Sequence, residues 1–127
     1  DFSPYVEGVA QVVVRDLAGG VGAIAASIRE RFAGRVDPQQ SKGYTLDLVP
    51  TGVSKATGIE AILRATGIRA DEVMACGDSD NDLSMLRLAG TSVVTANGQE
   101  EAKALATYLA LGCDEDGVAR AIEELVL

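Results

Sequence analysis

The 127 residues contain no histidine. Histidine is the side chain best placed to act as a base near neutral pH and a frequent metal ligand, so its absence disfavours Ser-His-Asp hydrolysis, haem ligation and most zinc sites together. Only two cysteines occur, Cys76 and Cys113. Two thiols cannot complete a metal site alone, and the sequence predicts a reducing, cytoplasmic setting in which both stay free. Basic residues are scarce: 11 Lys and Arg face 19 Asp and Glu, for a formal net charge of −8. That balance opposes a sequence-independent grip on nucleic acid or an anionic membrane. No apolar run approaches the roughly 20 residues of a membrane-spanning helix, and the first residues lack the basic start and apolar run of a secretory leader. The expectation is a soluble domain whose partners are small or metal-bound.

What is present is 47% hydrophobic content, enough at this length for one compact core, with or without an appendage, and short for two independent ones. No internal repeat or low-complexity tract interrupts it. "VAQVVVRDL" has the β-branched density of a strand, and "GVGAIAASIRERFAG" places Val21, Ile24, Ala25, Ile28 and Phe32 at helical spacing before Gly34 closes the helix. "GYTLDLVP" alternates Tyr44, Leu46 and Leu48 against Thr45, Asp47 and Val49, a strand with one covered face stopped by Pro50. Residues 1–50 thus read as a small α+β unit.

Residues 51–127 read differently. Ile59, Ile62 and Leu63 mark a helix ended by Gly67, "DEVMACG" a short buried strand starting near Glu72, and Leu83, Met85 and Leu86 a short helix ending near Gly90. "TSVVTAN" supplies another strand and "EEAKALATYLAL" another helix. A final helix carries Val118, Ile122 and Leu125 behind Asp116 as N-cap. Alternating α and β is the pattern of a mainly parallel sheet with helices on its faces. Ligands of such sheets bind at the carboxyl ends of the strands, where the loop "GDSDND", residues 77–82, falls.

Three readings compete for that loop. Asp80 or Asn81 could simply cap the helix of Leu83 and Leu86, the other acids being solvated. Asp78, Asp80 and Asp82 alternate as in the opening of an EF-hand, but the sixth position holds Leu83 instead of glycine and the twelfth Ala89 instead of glutamate. The third reading is a magnesium site for phosphate chemistry, since magnesium commonly takes one or two carboxylates and fills its octahedron with substrate phosphate and water.

"GVSKATGIEAIL", then "DEVMACGDSDNDLSMLRLAGTSVVTANGQEEAKALA", then "DEDGVARAI" resemble the C-terminal half of a haloacid dehalogenase-like (HAD) phosphatase of the Cof type, subfamily IIB, the sugar-phosphatase-like group. The order of Lys, Gly-Asp-Ser-x-Asn-Asp and a later Asn is more specific than any one motif. The resemblance implies an α/β fold: the C-terminal part of a Rossmann-like HAD core, mainly parallel sheet with flanking helices, over residues 51–127. Residues 1–50 resemble the later part of a small α+β cap, by pattern and distance more than by identities. It also implies that Lys55 neutralises the phosphoryl group and the attacking carboxylate, and that Asp78 binds Mg2+. Asp82 would be a metal ligand or an acid just behind the metal, Asn81 would orient nucleophile or phosphate, and Asn97 would lie near the substrate. A group in phosphoryl transfer spreads negative charge over its oxygens, so a lysine and a carboxylate-held magnesium supply what the chemistry needs.

The family's nucleophile, the first aspartate of an Asp-x-Asp pair on the first core strand, is not found, and no such pair precedes Lys55. In "VVVRDLAGGV" Asp16 and Gly19 imitate it, but Ala18 replaces the second aspartate, Gly20 the usual hydroxyl residue, and Lys55 follows only 39 residues later. The segment fits a cap strand instead. The chain thus reads as lacking the nucleophile half, and inactive by itself; the strands not found would leave a sheet edge open to self-association or to pairing with that half. "GGVGAIA" imitates a dinucleotide fingerprint through Gly20, Gly22 and Ala25, but Arg15–Gly19 separate it from the strand. Ala56 stands where relatives often carry glycine, and Cys76 reads as a small buried apolar residue. The expected activity is hydrolysis of a small phosphomonoester, a sugar phosphate or a phosphorylated short acid such as phosphoglycolate. Phosphotransfer by a mutase, or a non-catalytic phosphate- or metal-binding module, are the alternatives.

Overall fold

The computed structural model describes residues 10–127, with the side chains of residues 41 and 42 left out of the description. The chain forms two compact units, Asp1–Val53 and Ser54–Leu127.

In the first unit, β1 (Val12–Arg15), α1 (Val21–Arg31), β2 (Val36–Lys42) and β3 (Thr45–Pro50) make an antiparallel sheet of order β1-β3-β2 with one helix. β3 lies in the middle because its alternation gives it a covered face: Leu46 pairs with Val14 and is completely buried, and Leu48 pairs with Val12. Val21 and Ala25 of α1 pack on Leu46, with Val14, Ile24, Ile28 and Leu48 around them. Phe32 caps α1 and stays exposed, so the apolar stripe is one residue shorter than its spacing suggests. β2, "VDPQQSK", carries no strand signal in the sequence. It forms because it lies at the sheet edge, where Pro38 need not donate to a ladder on both sides.

Asp16 belongs to the turn between β1 and α1. Its two carboxylate oxygens accept the backbone N–H groups of Ala18 and Gly20, both at 2.9 Å. The residue that imitates a nucleophile is therefore an Asx turn leading into a helix.

The second unit begins with α2 (Lys55–Thr66), followed by β4 (Met74–Gly77), α3 (Leu83–Leu88), β5 (Thr91–Thr95), α4 (Glu100–Lys103), β6 (Tyr108–Ala110) and α5 (Gly117–Leu125). The three strands are parallel, in the order β4-β5-β6. β5 is covered on both faces, and Ser92, Val93, Val94 and Thr95 are all buried. Val94 packs with Ala75, Leu86 and Ala102 on one face, and Val93 packs with Ala110 and Ala121 on the other.

Three elements depart from the sequence reading. The helix expected over "EEAKALATYLAL" ends at Lys103, and its second half is strand β6. The cause is a reciprocal clasp. The Ser92 N–H donates to Thr107 Oγ1 (2.9 Å), the Thr107 N–H to Ser92 Oγ (3.0 Å), Thr107 Oγ1 to Ser92 O (3.1 Å) and Ser92 Oγ to Leu105 O (2.5 Å). These bonds draw the chain into the sheet against the helical preference of its alanines and leucines. The last helix exists, but its buried residues are Gly117 and Ala121, whereas Ile122 and Leu125 are exposed. Small residues allow close approach to the sheet. Asp116 stands at the N-cap position in a left-handed conformation (φ 56°), and its side chain makes no cap bond. The strand "DEVMACG" begins two residues later than read, behind a 3-10 turn at Ala70–Glu72. No helix among the described residues is long and apolar enough to cross a membrane.

Leu46 is the largest fully buried side chain. Leu46→Ala should lower the unfolding free energy of the first unit by about 2–5 kcal/mol, whereas Leu17→Ala, at an exposed turn, should change it by no more than about 0.5 kcal/mol. Urea denaturation of the two variants checks both values.

Candidate active site

α2 opens with a capping box. The Ser54 hydroxyl accepts the Thr57 N–H (3.3 Å), and the Thr57 hydroxyl accepts the Ser54 N–H (2.9 Å). This makes Lys55 the first helical residue. A cation there opposes the helix dipole, so local helix energetics do not explain the lysine. Its partner does: the Lys55 ammonium donates to Oδ1 of Asp82, with the lysine side chain 48% and the aspartate side chain 5% exposed.

Asp82 ends a 3-10 turn that links β4 to α3. Its other oxygen, Oδ2, accepts the N–H groups of Asp78 (2.9 Å) and Ser79 (3.2 Å) and the Ser79 hydroxyl (3.3 Å). One carboxylate thereby joins the start of α2 to the loop leaving β4. Burial pushes the Asp82 carboxyl up, but the bond from Lys55, the Asp78 N–H, the Lys55 charge and the Ser79 N–H together outweigh it and hold the group below the usual carboxylate range.

Gly77 makes this approach possible. A Cβ at that position would lie 2.6 Å from Asp82 Cβ and 2.9 Å from its Cγ. The glycine of "CGDSDND" is thus a steric requirement of the aspartate five residues on.

The remaining expected residues lie on the same loops. Asn81 Oδ1 accepts the Ser79 hydroxyl at 2.8 Å. Asn97, in the loop after β5, is exposed, and its Oδ1 accepts the Cys113 N–H at 2.9 Å. Asp78 is exposed, and its carboxylate accepts no hydrogen bond among the described residues. Lys55 and Asp78 therefore meet through Asp82: the ammonium holds one oxygen of that carboxylate and the Asp78 backbone holds the other. Cys76 packs beside Val93, Ala110 and Ala121, and burial pushes its thiol up.

Sequence reasoning gave no role to Ser79, Ser84 or Gln99. Ser79 braces both Asn81 and Asp82. The Ser84 hydroxyl accepts the Ala56 N–H at 3.4 Å, a weak second tie between α3 and the turn carrying Lys55. Gln99 Oε1 accepts the Asp80 N–H at 2.8 Å. Serine in a Gly-Asp-Ser-x-Asn-Asp run is a readable turn former, but no local pattern announces Gln99.

The donor set suits a hard cation. Among the described residues no three His, Cys, Asp or Glu side chains converge, and a single unbonded carboxylate fits magnesium, which leaves most of its coordination to water and phosphate.

A family model described as haloacid dehalogenase-like hydrolase matches residues 2–122. The chain belongs to that family. A curated relative from Bacillus subtilis, 5-amino-6-(5-phospho-D-ribitylamino)uracil phosphatase YitU, is 31% identical over 93% of this chain and 44% of its own length. The chloroplastic endoribonuclease YBEY of Arabidopsis thaliana is 36% identical over 90% of this chain but only 20% of its own length. Among solved structures, a haloacid dehalogenase-like hydrolase from Bacteroides thetaiotaomicron superposes with a TM-score of 0.84 at 38% identity, over 98% of this chain and 47% of that one. A HAD subclass IIB sugar phosphatase gives a TM-score of 0.78 at 28% identity, over 91% of this chain and 43% of that one. The chain thus spans less than half the length of each of these four proteins. The expected family and α/β fold are both shown by these matches.

Because the Asp82 carboxyl is held low in the folded state, its contribution to stability is present above the ordinary carboxylate range and is lost as pH falls through the folded value. The chain should lose stability on acidification below about pH 5, and Asp82→Asn should flatten that dependence. At pH 7 the variant should be weaker by about 1–3 kcal/mol, toward the low end because Lys55 is half exposed. Denaturant melts across the pH range measure both effects. Gly77→Ala should cost about 1–3 kcal/mol through overpacking and raise the carboxyl titration of Asp82, followed by NMR.

Proposed function

We propose that this chain carries the lysine and acidic-loop part of a magnesium-dependent phosphatase site, acting on a small phosphomonoester of the sugar-phosphate kind. The observation that supports it most is the Lys55–Asp82–Asp78 linkage, which brings a cation and an unbonded carboxylate to one strand edge. The names of YitU and of the subclass IIB neighbour, a phosphatase of a phosphorylated ribityl compound and a sugar phosphatase, agree in chemical class.

In this reading the Lys55 ammonium spends one of its three N–H donors on Asp82, which fixes its direction, and offers the other two to phosphoryl oxygens. Asp78 is the metal ligand. Asp82, with both oxygens engaged, is the acid behind the lysine and the loop, so of the two expected metal ligands only Asp78 keeps that role. Magnesium, when bound, adds positive charge where the transferring group accumulates negative charge. Asn81, held by Ser79, orients the phosphate or the attacking group, and the Asn97 amide contacts the substrate while its oxygen holds the Cys113 N–H. Asp16 is not the nucleophile, since its carboxylate is spent on the turn; residues outside these 127 supply that group. Residues 1–50 are part of the cap that selects the substrate, and residues 51–127 part of the catalytic core. The endoribonuclease name gives no reading here, because the match covers 20% of that protein.

The test joins this chain to the remaining part of YitU and follows hydrolysis of an aryl phosphate with magnesium. The chain by itself should give no turnover and the chimera measurable turnover. Lys55→Ala and Asp78→Asn should each lower kcat about a hundredfold or more in the chimera. Turnover by the isolated chain that disappears in Asp16→Asn refutes the assignment of the nucleophile. Phosphate recovered on an organic acceptor identifies a transferase, and binding without turnover a non-catalytic module.

A further inference from the structure

We infer that Gln99 is a positioning residue for Asp78, clamping the acidic loop from the neighbouring strand so that its carboxylate is aimed before any cation arrives; this rests on the metal-ligand role proposed for Asp78.

The acidic loop is fixed by two unlike anchors. On the side toward α2, the Asp78 N–H is taken by Asp82 Oδ2 at 2.9 Å. On the side toward β5, the Asp78 carbonyl accepts the backbone N–H of Gln99 at 2.8 Å. Both backbone groups of Asp78 are thus tied, to opposite neighbours. The Gln99 side chain then folds back and accepts the Asp80 N–H at 2.8 Å. One residue therefore holds a carbonyl and an N–H of the acidic loop, spanning the peptide units that follow Asp78.

Close contact makes the clamp stiff. A Cβ on Gly98 would lie 3.1 Å from the Asp78 carbonyl oxygen, 3.0 Å from the Thr95 carbonyl oxygen and 3.1 Å from Val94 Cγ1, so the two loops abut without a side chain between them. Asn97 extends the same line to the Cys113 N–H. Three loops at the carboxyl ends of β4, β5 and β6 are joined in sequence by side chains of the middle one.

The physical consequence concerns affinity. A carboxylate whose backbone is already fixed loses little conformational freedom on ligating a cation, whereas a loose loop must be ordered at that moment. Groups that orient a ligand in this way typically change metal affinity by about ten- to a hundredfold when removed. The Gln99 carbonyl is a neutral acceptor, so it holds the Asp80 N–H without adding a charge that would compete for the ion.

The experiment uses Mn2+ as the probe on the intact chain, with free Mn2+ read by electron paramagnetic resonance, together with amide exchange at Asp80. Gln99→Ala should weaken Mn2+ binding about tenfold and speed exchange of the Asp80 N–H, with the thermal midpoint shifted by no more than about 2 °C as for a surface change. Gln99→Asn, one methylene shorter, should fall between. Gln99→Glu restores the acceptor and should return slow Asp80 exchange. Unchanged Mn2+ affinity in Gln99→Ala, with binding abolished in Asp78→Asn, overturns the role of Gln99 and leaves that of Asp78 standing. Equal binding in the unaltered chain and Asp78→Asn, or none in either, overturns the metal-ligand role and this inference with it.

Discussion

A carboxylate removed from water needs compensation on both oxygens, and Asp82 takes it from two different parts of the chain. The ammonium of Lys55 satisfies one oxygen, and the N–H groups of Asp78 and Ser79 with the Ser79 hydroxyl satisfy the other. Each part helps to hold the other in place. The lysine opposes the dipole of its own helix, and the loop would otherwise be a run of mutually repelling acids. Burial of the shared acceptor at 3% exposure makes loss of either partner costly.

Much of this was legible in the residues, for physical reasons that differ from element to element. β5 is readable because Val93 and Val94 stand between β-branched threonines in a short segment that Asn97 and Gly98 end, and α2 because an apolar stripe and Gly67 in the left-handed region mark its length. Lys55 and the acidic loop were readable as a pair because their order in the chain resembles a family's motifs. Their meeting point was not: nothing local says that the last acid of the loop turns inward while the first stays exposed. That depends on Gly77, whose missing Cβ admits Asp82, and on the lysine arriving from another helix.

The misreadings share a cause. β2 is polar and contains Pro38, yet the sheet edge accepts it. "EEAKALATYLAL" is helical by propensity, yet Ser92 and Thr107 pull its second half into the sheet. α5 carries large apolar residues, yet glycine and alanine face the strands. In each case tertiary pairing overrides a local preference worth less than about 1 kcal/mol per residue. Gln99 escaped attention for the same reason, since its two bonds to the acidic loop exist only once β4 and β5 lie side by side.

The Ser92–Thr107 clasp lies at the opposite end of β5 from the proposed chemistry, and it acts there through register. β6 is three residues long, and so short a parallel ladder does little by itself to fix its own alignment. With the clasp closed, β6 cannot slide along β5. A slip by a single residue would carry the loop of Cys113 about 3.3 Å along the strand axis, farther than the hydrogen bond from Cys113 to Asn97 can stretch. The clasp is thus a distant stop that sets how level the three loops stand with one another.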